Sequence, residues 1–472
     1  MPRLRRKFAE PPDISSCKWR RPMYETDRTL DGSMPEDHSR SDPVTIIRTS
    51  PMGKFQVALV VVLFCLYALD GYDLLAVAFA LPGIRADLKL PPDILGVIAS
   101  AGLIGSGTGA LLIAPLSDRF GRRPIMLASL ILAGCGMAIC TIANGPMVLV
   151  LGRSITGLGV GALLPGITAL AAEYSNDRVR NGVTVLITVG FSVGGLVGGN
   201  FAAVLLFHWS WRSVFLCGSI GTFLAAAISA LIVPESIEFI VATRPVNALA
   251  RINSVLGRMA KESIARIEAK QVTTAKAPIV ELFKQDLLVI TVVVTLTYAL
   301  HGATFYYCLN WLSKIATDIG YTASGAAHAF AWCSGGGLVG ALLAAFLATR
   351  IRIQSLIAFS LIASTVALLV LASIHRMSNE FFVASGLVGV ALYCGQSSLY
   401  AYMMRAFPTR VRASGAGFVT GVGRFGGIAS PTISGFLFAS GLSNAAVSTM
   451  MAMGSLCGAV ILLSYHIFWR QT

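Results

Sequence analysis

The chain has 472 residues, 55% hydrophobic and only 13% charged, with a formal net charge of +14. Soluble domains carry roughly 25% charged residues, so this composition excludes a soluble globular protein and points to a chain that hides apolar surface in lipid. The nine cysteines are scattered without a Cys-x-x-Cys pair, which argues against a disulfide framework or a metal site.

In chain order, residues 1–50 are rich in Pro, Ser, Asp and Arg and have no apolar core of a cleavable leader. They are expected to form a disordered cytoplasmic tail. About 20 apolar residues cross a hydrocarbon core of roughly 30 Å. On that measure twelve spans are predicted, near 55–81, 94–114, 125–143, 147–172, 182–206, 213–233, 287–312, 323–348, 355–374, 381–404, 413–439 and 445–468. They divide into an N-terminal half, 51–234, and a C-terminal half, 287–472. The linker 235–286 between them is expected to carry a surface helix within 247–270, where apolar residues recur at mixed three- and four-residue spacing.

Twelve spans place both termini on one side, and 30 of the 37 lysines and arginines fall there. The positive-inside rule makes that side cytoplasmic. The surplus charge is therefore read as orientation and lipid-headgroup contact, with no nucleic-acid partner. The halves are related: "YALDG" at Tyr67–Gly71 returns as "YALHG" at Tyr298–Gly302, and "GALLI" at Gly109–Ile113 returns as "GALLA" at Gly340–Ala344. The offset of 231 residues spans six helices, an even number, so the repeats run parallel. The expected fold is an all-α membrane protein of two parallel, pseudo-symmetric six-helix halves.

Charge within a span costs about 2.5–3.5 kcal/mol at the bilayer centre, so such residues call for a role. Asp70 and Asp73 share a face of the first span, spaced i, i+3. Two carboxylates so close in low dielectric resist ionising together, which suits a proton carrier; the plainer alternative is a structural pair with an arginine. Arg153, in "RSITGLGVGALLP", and Arg424, in "GVGRFGGIASP", must be paired, solvated or holding an anion. The glycines beside Arg424 are read as leaving room for a substrate carboxylate, and Arg153 is assigned to coupling. His301, at the depth equivalent to Asp70, joins the coupling set. Tyr306, Asn310, Gln396 and Tyr400 are candidates for a pocket that meets a flat ligand with aromatic walls and a few polar tips. Trp311, near the end of its span, is read as interfacial belt. No nucleophile–base pair, metal cluster or phosphate loop is present in the sequence, so no catalytic residue, metal or cofactor is expected.

"APLSDRFGRRP", Ala114–Pro124, resembles the loop between helices 2 and 3 of the major facilitator superfamily, with Asp118, Arg119, Gly121, Arg122 and Arg123 matching its motif. That resemblance implies a cytoplasmic latch in which the aspartate pairs across the domain interface and caps a helix. Three features narrow it further: "DGYD" at Asp70–Asp73, Glu173–Tyr174 after the fourth span, and the G-x-G-R-x-G pattern at Gly421–Gly426. In these the chain is similar to the aromatic acid:proton symporters. Membership would imply import of benzoate-, hydroxybenzoate- or phenylpropionate-like acids with protons across the plasma membrane, by a monomer in the lipid bilayer. The implied cycle protonates Asp70 or Asp73 outside, freeing an arginine for the substrate, and re-forms an arginine–aspartate pair inside. The alternatives are a proton-driven efflux antiporter, which the glycine-rich but proline-free fifth span "GFSVGGLVGGNFAA" disfavours, and uptake of a non-aromatic anion such as muconate.

Overall fold

A computed structural model describes residues 42–267, 279–408 and 411–468. Its framework is twelve long helices: α1 Lys54–Leu88, α2 Pro92–Leu112, α3 Arg122–Thr141, α4 Pro146–Glu173, α5 Arg180–His208, α6 Arg212–Ile232, α7 Gln285–Asp318, α8 Ala323–Leu347, α9 Ile353–Ala372, α10 Asn379–Ala406, α11 Arg412–Ala439 and α12 Asn444–Phe468. Eleven of them are long and apolar enough to cross a membrane; α11, with 28 residues, is the twelfth and carries Arg424 and Pro431. Punctuation in the sequence sets several ends. Pro92 and Pro146 open α2 and α4 in the first turn, where their missing N–H costs nothing. Gly121 precedes α3 at φ +101°, a conformation that disfavours other residues.

Two helices exceed their predicted spans. α1 runs seven residues past 81, and α7 reaches Asp318 rather than 312. Their last turns are polar, so hydropathy marks only the lipid-embedded portion. Those turns form a seal between the halves: Arg85 of α1 pairs with Asp318 of α7 at 3.0 Å, Lys314 reaches the same carboxylate at 2.6 Å, and Asn444 donates to it at 3.1 Å.

The expectation of a disordered tail over 1–50 needs correction at its end, while residues 1–41 lie outside the described residues. Residues Pro43–Thr49 form a helix capped by Asp42, whose side chain accepts from Val44 N at 3.2 Å. Its Ile47 is buried in one cluster with Ile252, Val255 and Leu256 of the linker, and Arg48 pairs with Glu238 at 3.3 Å. The linker helix is shorter than predicted, Ala248–Arg258, and a second one, Ile237–Thr243, precedes it. Ala260, at φ +54°, turns the chain off the helix. Residues 261–267 are not helical, and 268–278 lie outside the described residues.

The repeat is legible in the packing. In the first half α1 packs on α5 and α6, α4 on α2 and α3, and α3 on α6; in the second half α7, α10 and α9 make the corresponding pairs with α11 and α12, with α8 and α9, and with α12. Gly194 lies so close to Ala68 that a Cβ would overlap its carbonyl oxygen, and Gly426 stands in the same relation to Ala299. These repeat-related contacts are backbone approaches that small residues permit.

The halves meet mainly through α2 with α11 and α5 with α8. Among the described residues, the hydrogen bonds between halves are Arg85–Asp318, Ser100–Ile428 O, Thr432–Gly96 O, Thr432–Ser100 and His328–Asn200. All lie between mid-helix and the face opposite the termini, so the bundle is closed on that face. Asp318→Asn should loosen this seal. An exposed ion pair is worth about 0–1 kcal/mol, so thiol labelling of a cysteine placed at Thr432 should speed up, by no more than about fivefold.

Candidate functional site

The central face of α1 brings its aspartates out of solvent. Asp70 is 4% exposed and Asp73 2%. Asp73 Oδ2 accepts from Thr222 Oγ1 of α6 at 2.7 Å, while Asp73 Oδ1 and Asp70 Oδ1 are buried without a hydrogen-bond partner. A buried carboxylate oxygen with no donor is costly as an anion, which makes both groups suited to carrying a proton.

Arg153 is 1% exposed and its charge lies in the field of Asp73. Among the described residues it makes no ion pair with a carboxylate. Nη1 donates to Asp73 O at 2.8 Å and Nη2 to Leu74 O at 2.7 Å. Gly102 of α2 makes room for the guanidinium: a Cβ there would come within 2.8 Å of Nη2. Arg153 thus ties α4 to the backbone of α1 beside Asp73, with both Nη atoms taken up by backbone carbonyls.

Arg424 is different. It sits near the middle of α11, half-buried, and among the described residues it makes neither an ion pair nor a hydrogen bond. Its electrostatic neighbours are the phenols of Tyr67, Tyr298, Tyr306 and Tyr400 and, across the interface, Asp70. Of the glycines around it, Gly421 faces open space as expected, but Gly423 and Gly427 do not. Rings fill that room: a Cβ at Gly423 would strike Tyr298, and one at Gly427 would strike Tyr306. The glycine motif therefore lets α7 lay two tyrosines against α11 on either side of the guanidinium. Gln396 of α10 donates to Tyr298 Oη at 3.1 Å, and the Tyr298 and Tyr400 hydroxyls lie 2.9 Å apart. Gln396 Oε1 is buried without a partner.

The structure brings Asp70, Arg424, Tyr306, Gln396 and Tyr400 into one environment. Asn310 is buried and donates to Tyr306 O one turn back, so it braces α7. His301 is not brought to the aspartates. It is fully buried in its own half, with Nδ1 2.9 Å from Ser455 Oγ of α12 and Nε2 3.1 Å from Leu392 O of α10. A carbonyl can only accept, so Nε2 carries a proton and Nδ1 can accept from Ser455. A neutral imidazole satisfies both bonds. His301→Gln should lower the melting temperature, because the amide cannot reproduce both of these bonds, and thermal unfolding checks this.

Trp311 is no belt residue. It is fully buried, packed at a tilt against Phe438, and donates to Pro431 O at 3.3 Å. Nor does the loop motif latch the halves as expected. Asp118 and Arg119 are exposed, and Asp118 has no partner among the described residues. The N-terminus of α3 is capped instead by Glu235, which accepts from Arg122 N at 2.9 Å and Arg123 N at 3.2 Å. Arg122 also pairs with the buried Glu173. Among the described residues no hydrogen bond or ion pair joins the halves on this face, and Asp118 makes no contact across it. The expected arginine–aspartate pair is likewise missing among the described residues, although this face is the open one.

Sequence reasoning missed Tyr67, Tyr298, Thr222 and Glu235. The signal for the two tyrosines was present, since they lead the repeated pentapeptide. Thr222 and Glu235 carry no local signal, because tertiary packing alone puts them beside Asp73 and α3.

Residues 63–312 match the family described as the Major Facilitator Superfamily. The chain is 28% identical over 428 residues to the gallate transporter of Pseudomonas putida, covering 90% of this chain and 95% of that one. It is 27% identical to the 4-hydroxybenzoate transporter PcaK of Acinetobacter baylyi (89% and 93% covered) and 29% identical to the 3-(3-hydroxy-phenyl)propionate transporter of Escherichia coli (83% and 90%). Its fold is similar to a solved bacterial homolog of the human lysosomal transporter Spinster, in an inward-facing and occupied conformation. The TM-score is 0.67 at 14% identity, covering 88% of this chain and 96% of that one. The parallel twelve-helix repeat and a family match over more than half of the sequence agree: the chain belongs to the Major Facilitator Superfamily.

Proposed function

We propose that this protein imports a monocyclic aromatic carboxylate together with protons, by alternating access, across a bacterial inner membrane with both termini in the cytoplasm. The observation that carries this reading is Arg424: a mid-membrane guanidinium with no ion-pair partner among the described residues, set among tyrosine rings and facing Asp70 of the other half. A guanidinium fork binds a carboxylate bidentately, and flanking rings suit a flat ligand. The transporters of gallate, 4-hydroxybenzoate and hydroxyphenylpropionate among its relatives carry ligands of that shape.

Coupling follows from the shared field. Asp70 as an anion and a substrate carboxylate both draw on the charge of Arg424. Protonating Asp70 releases that charge for substrate, so proton and anion bind with positive coupling, and each favours the other equally. Asp73, hydrogen-bonded to Thr222 and flanked by Arg153, is the second proton-bearing group. The halves then rock about the mid-membrane site, exchanging the outer seal for closure on the other face. The protein works as a monomer in the lipid bilayer, with no cofactor beyond the coupling proton, no catalytic step and no nucleic-acid partner.

The test is uptake of radiolabelled benzoate, 4-hydroxybenzoate, gallate, 3-phenylpropionate and muconate into a transport-deficient bacterium, with and without a protonophore. Protonophore-sensitive uptake of an aromatic acid is expected. Uptake of muconate alone, or faster loss of preloaded acid, would contradict the reading.

A further inference from the structure

The second half contains a cavity unrelated to the substrate site. It is a half-open cleft of about 480 Å³ between the ends of α7, α9, α10 and α12, with Arg352 and Arg405 exposed at its mouth. Arg352, Gln354, Arg405 and His466 line it, with Tyr402 and Tyr465 as walls. Among the described residues no carboxylate lines it, and neither Arg352 nor Arg405 makes an ion pair or a side-chain hydrogen bond. Arg352 is also the residue that precedes α9, whose N-terminus has no side-chain cap, so the first N–H groups of a 20-residue helix add to the positive potential. The Tyr402 hydroxyl lies 3.1 Å from His466 Nε2, which fixes one wall. Apolar Leu287, Ile290 and Ile351 complete the lining, and Ile351 is exposed.

We infer that this cavity is a phosphate-binding site for the headgroup of an anionic phospholipid. Two unpaired guanidinium forks and a helix N-terminus suit a phosphodiester. The cavity lies at the helix ends, at headgroup depth, and its apolar residues offer a path for acyl chains. A soluble phosphate has the same anionic chemistry but no use for that apolar rim. Bound there, a headgroup would tie together four helix ends of the second half.

The full-length protein, delipidated and given equal phosphatidylglycerol and phosphatidylcholine, should retain phosphatidylglycerol by native mass spectrometry with a preference of about tenfold. Arg352→Ala/Arg405→Ala should bring that preference near parity. Arg178→Ala/Arg180→Ala, which removes the same charge from the first half, should not. If the double variant does not purify as a monodisperse protein, the single variants carry the test, each expected to lose part of the preference. A thermal shift with inorganic phosphate that the cavity variants abolish, without phosphatidylglycerol retention, would keep the phosphate site and assign it to a soluble ligand. Equal behaviour of wild type and cavity variants toward both probes would overturn the inference.

Discussion

Arg424→Gln is expected to lower uptake at least about thirtyfold while the protein still inserts and folds. The guanidinium has no ion-pair or hydrogen-bond partner among the described residues, so its removal breaks no bridge between helices. What it removes is the charge that a desolvated substrate carboxylate would meet. Truncating one partner of a buried charge pair costs about 2–5 kcal/mol, which corresponds to a factor of roughly 30 to several thousand. Arg424→Lys keeps the charge but loses the fork and its five donors, so a higher KM with measurable transport is expected. Comparing KM and maximal rate across the two variants checks the assignment. Normal uptake by Arg424→Gln would leave the arginine a role in helix packing alone.

Replacing the aspartates is expected to separate flux from accumulation. Asn at position 73 can still accept from Thr222, whose hydroxyl lies 2.7 Å from Asp73 Oδ2, so Asp73→Asn removes a charge with little change in packing. At position 70 the asparagine withdraws the carboxylate that shares the field of Arg424. Both variants should exchange substrate down its gradient yet fail to concentrate it. Asp70→Asn should have the larger effect, because it leaves Arg424 permanently available to the anion. Substrate should bind to that variant with less dependence on pH than to wild type. Counterflow assays, which need no proton gradient, distinguish this outcome from simple loss of protein.

The fold was largely legible because hydropathy and an internal repeat are long-range signals. The predicted spans match the helices except where a helix continues past the lipid. That exception has consequences. Placing the end of α7 near 312 made Trp311 an interfacial residue, whereas the helix runs to Asp318 and puts the indole two turns inside, against Pro431 and Phe438. Depth was therefore easier to read than rotation. Asp70 and His301 share a depth through the repeat, yet Asp70 lies in the field of Arg424 across the interface while His301 turns into its own half. His301 finds Ser455 and Leu392 there, and nothing in a single sequence shows those partners.

The site was legible in part. A charge inside a span announces itself by its cost, so Asp70, Asp73, Arg153 and Arg424 stood out at once. Their division of labour did not. Arg153 and Arg424 lie in similar glycine-rich contexts, yet backbone carbonyls satisfy one while tyrosines surround the other. The difference comes from which helix faces each guanidinium, α1 in one case and α7 in the other. Tyr67 and Tyr298 look like ordinary apolar-face residues until α11 places Arg424 between the helices that bear them.

The most direct measurement is substrate accumulation by the purified protein in proteoliposomes under an imposed inward proton gradient, with the membrane potential clamped. A pH unit is worth about 1.36 kcal/mol per proton, so symport of one proton with a monovalent aromatic carboxylate predicts accumulation approaching tenfold per unit of inside-alkaline gradient. That accumulation should collapse on adding a protonophore. Equilibration to the same level with or without the gradient, or extrusion of substrate against it, would contradict proton-coupled import.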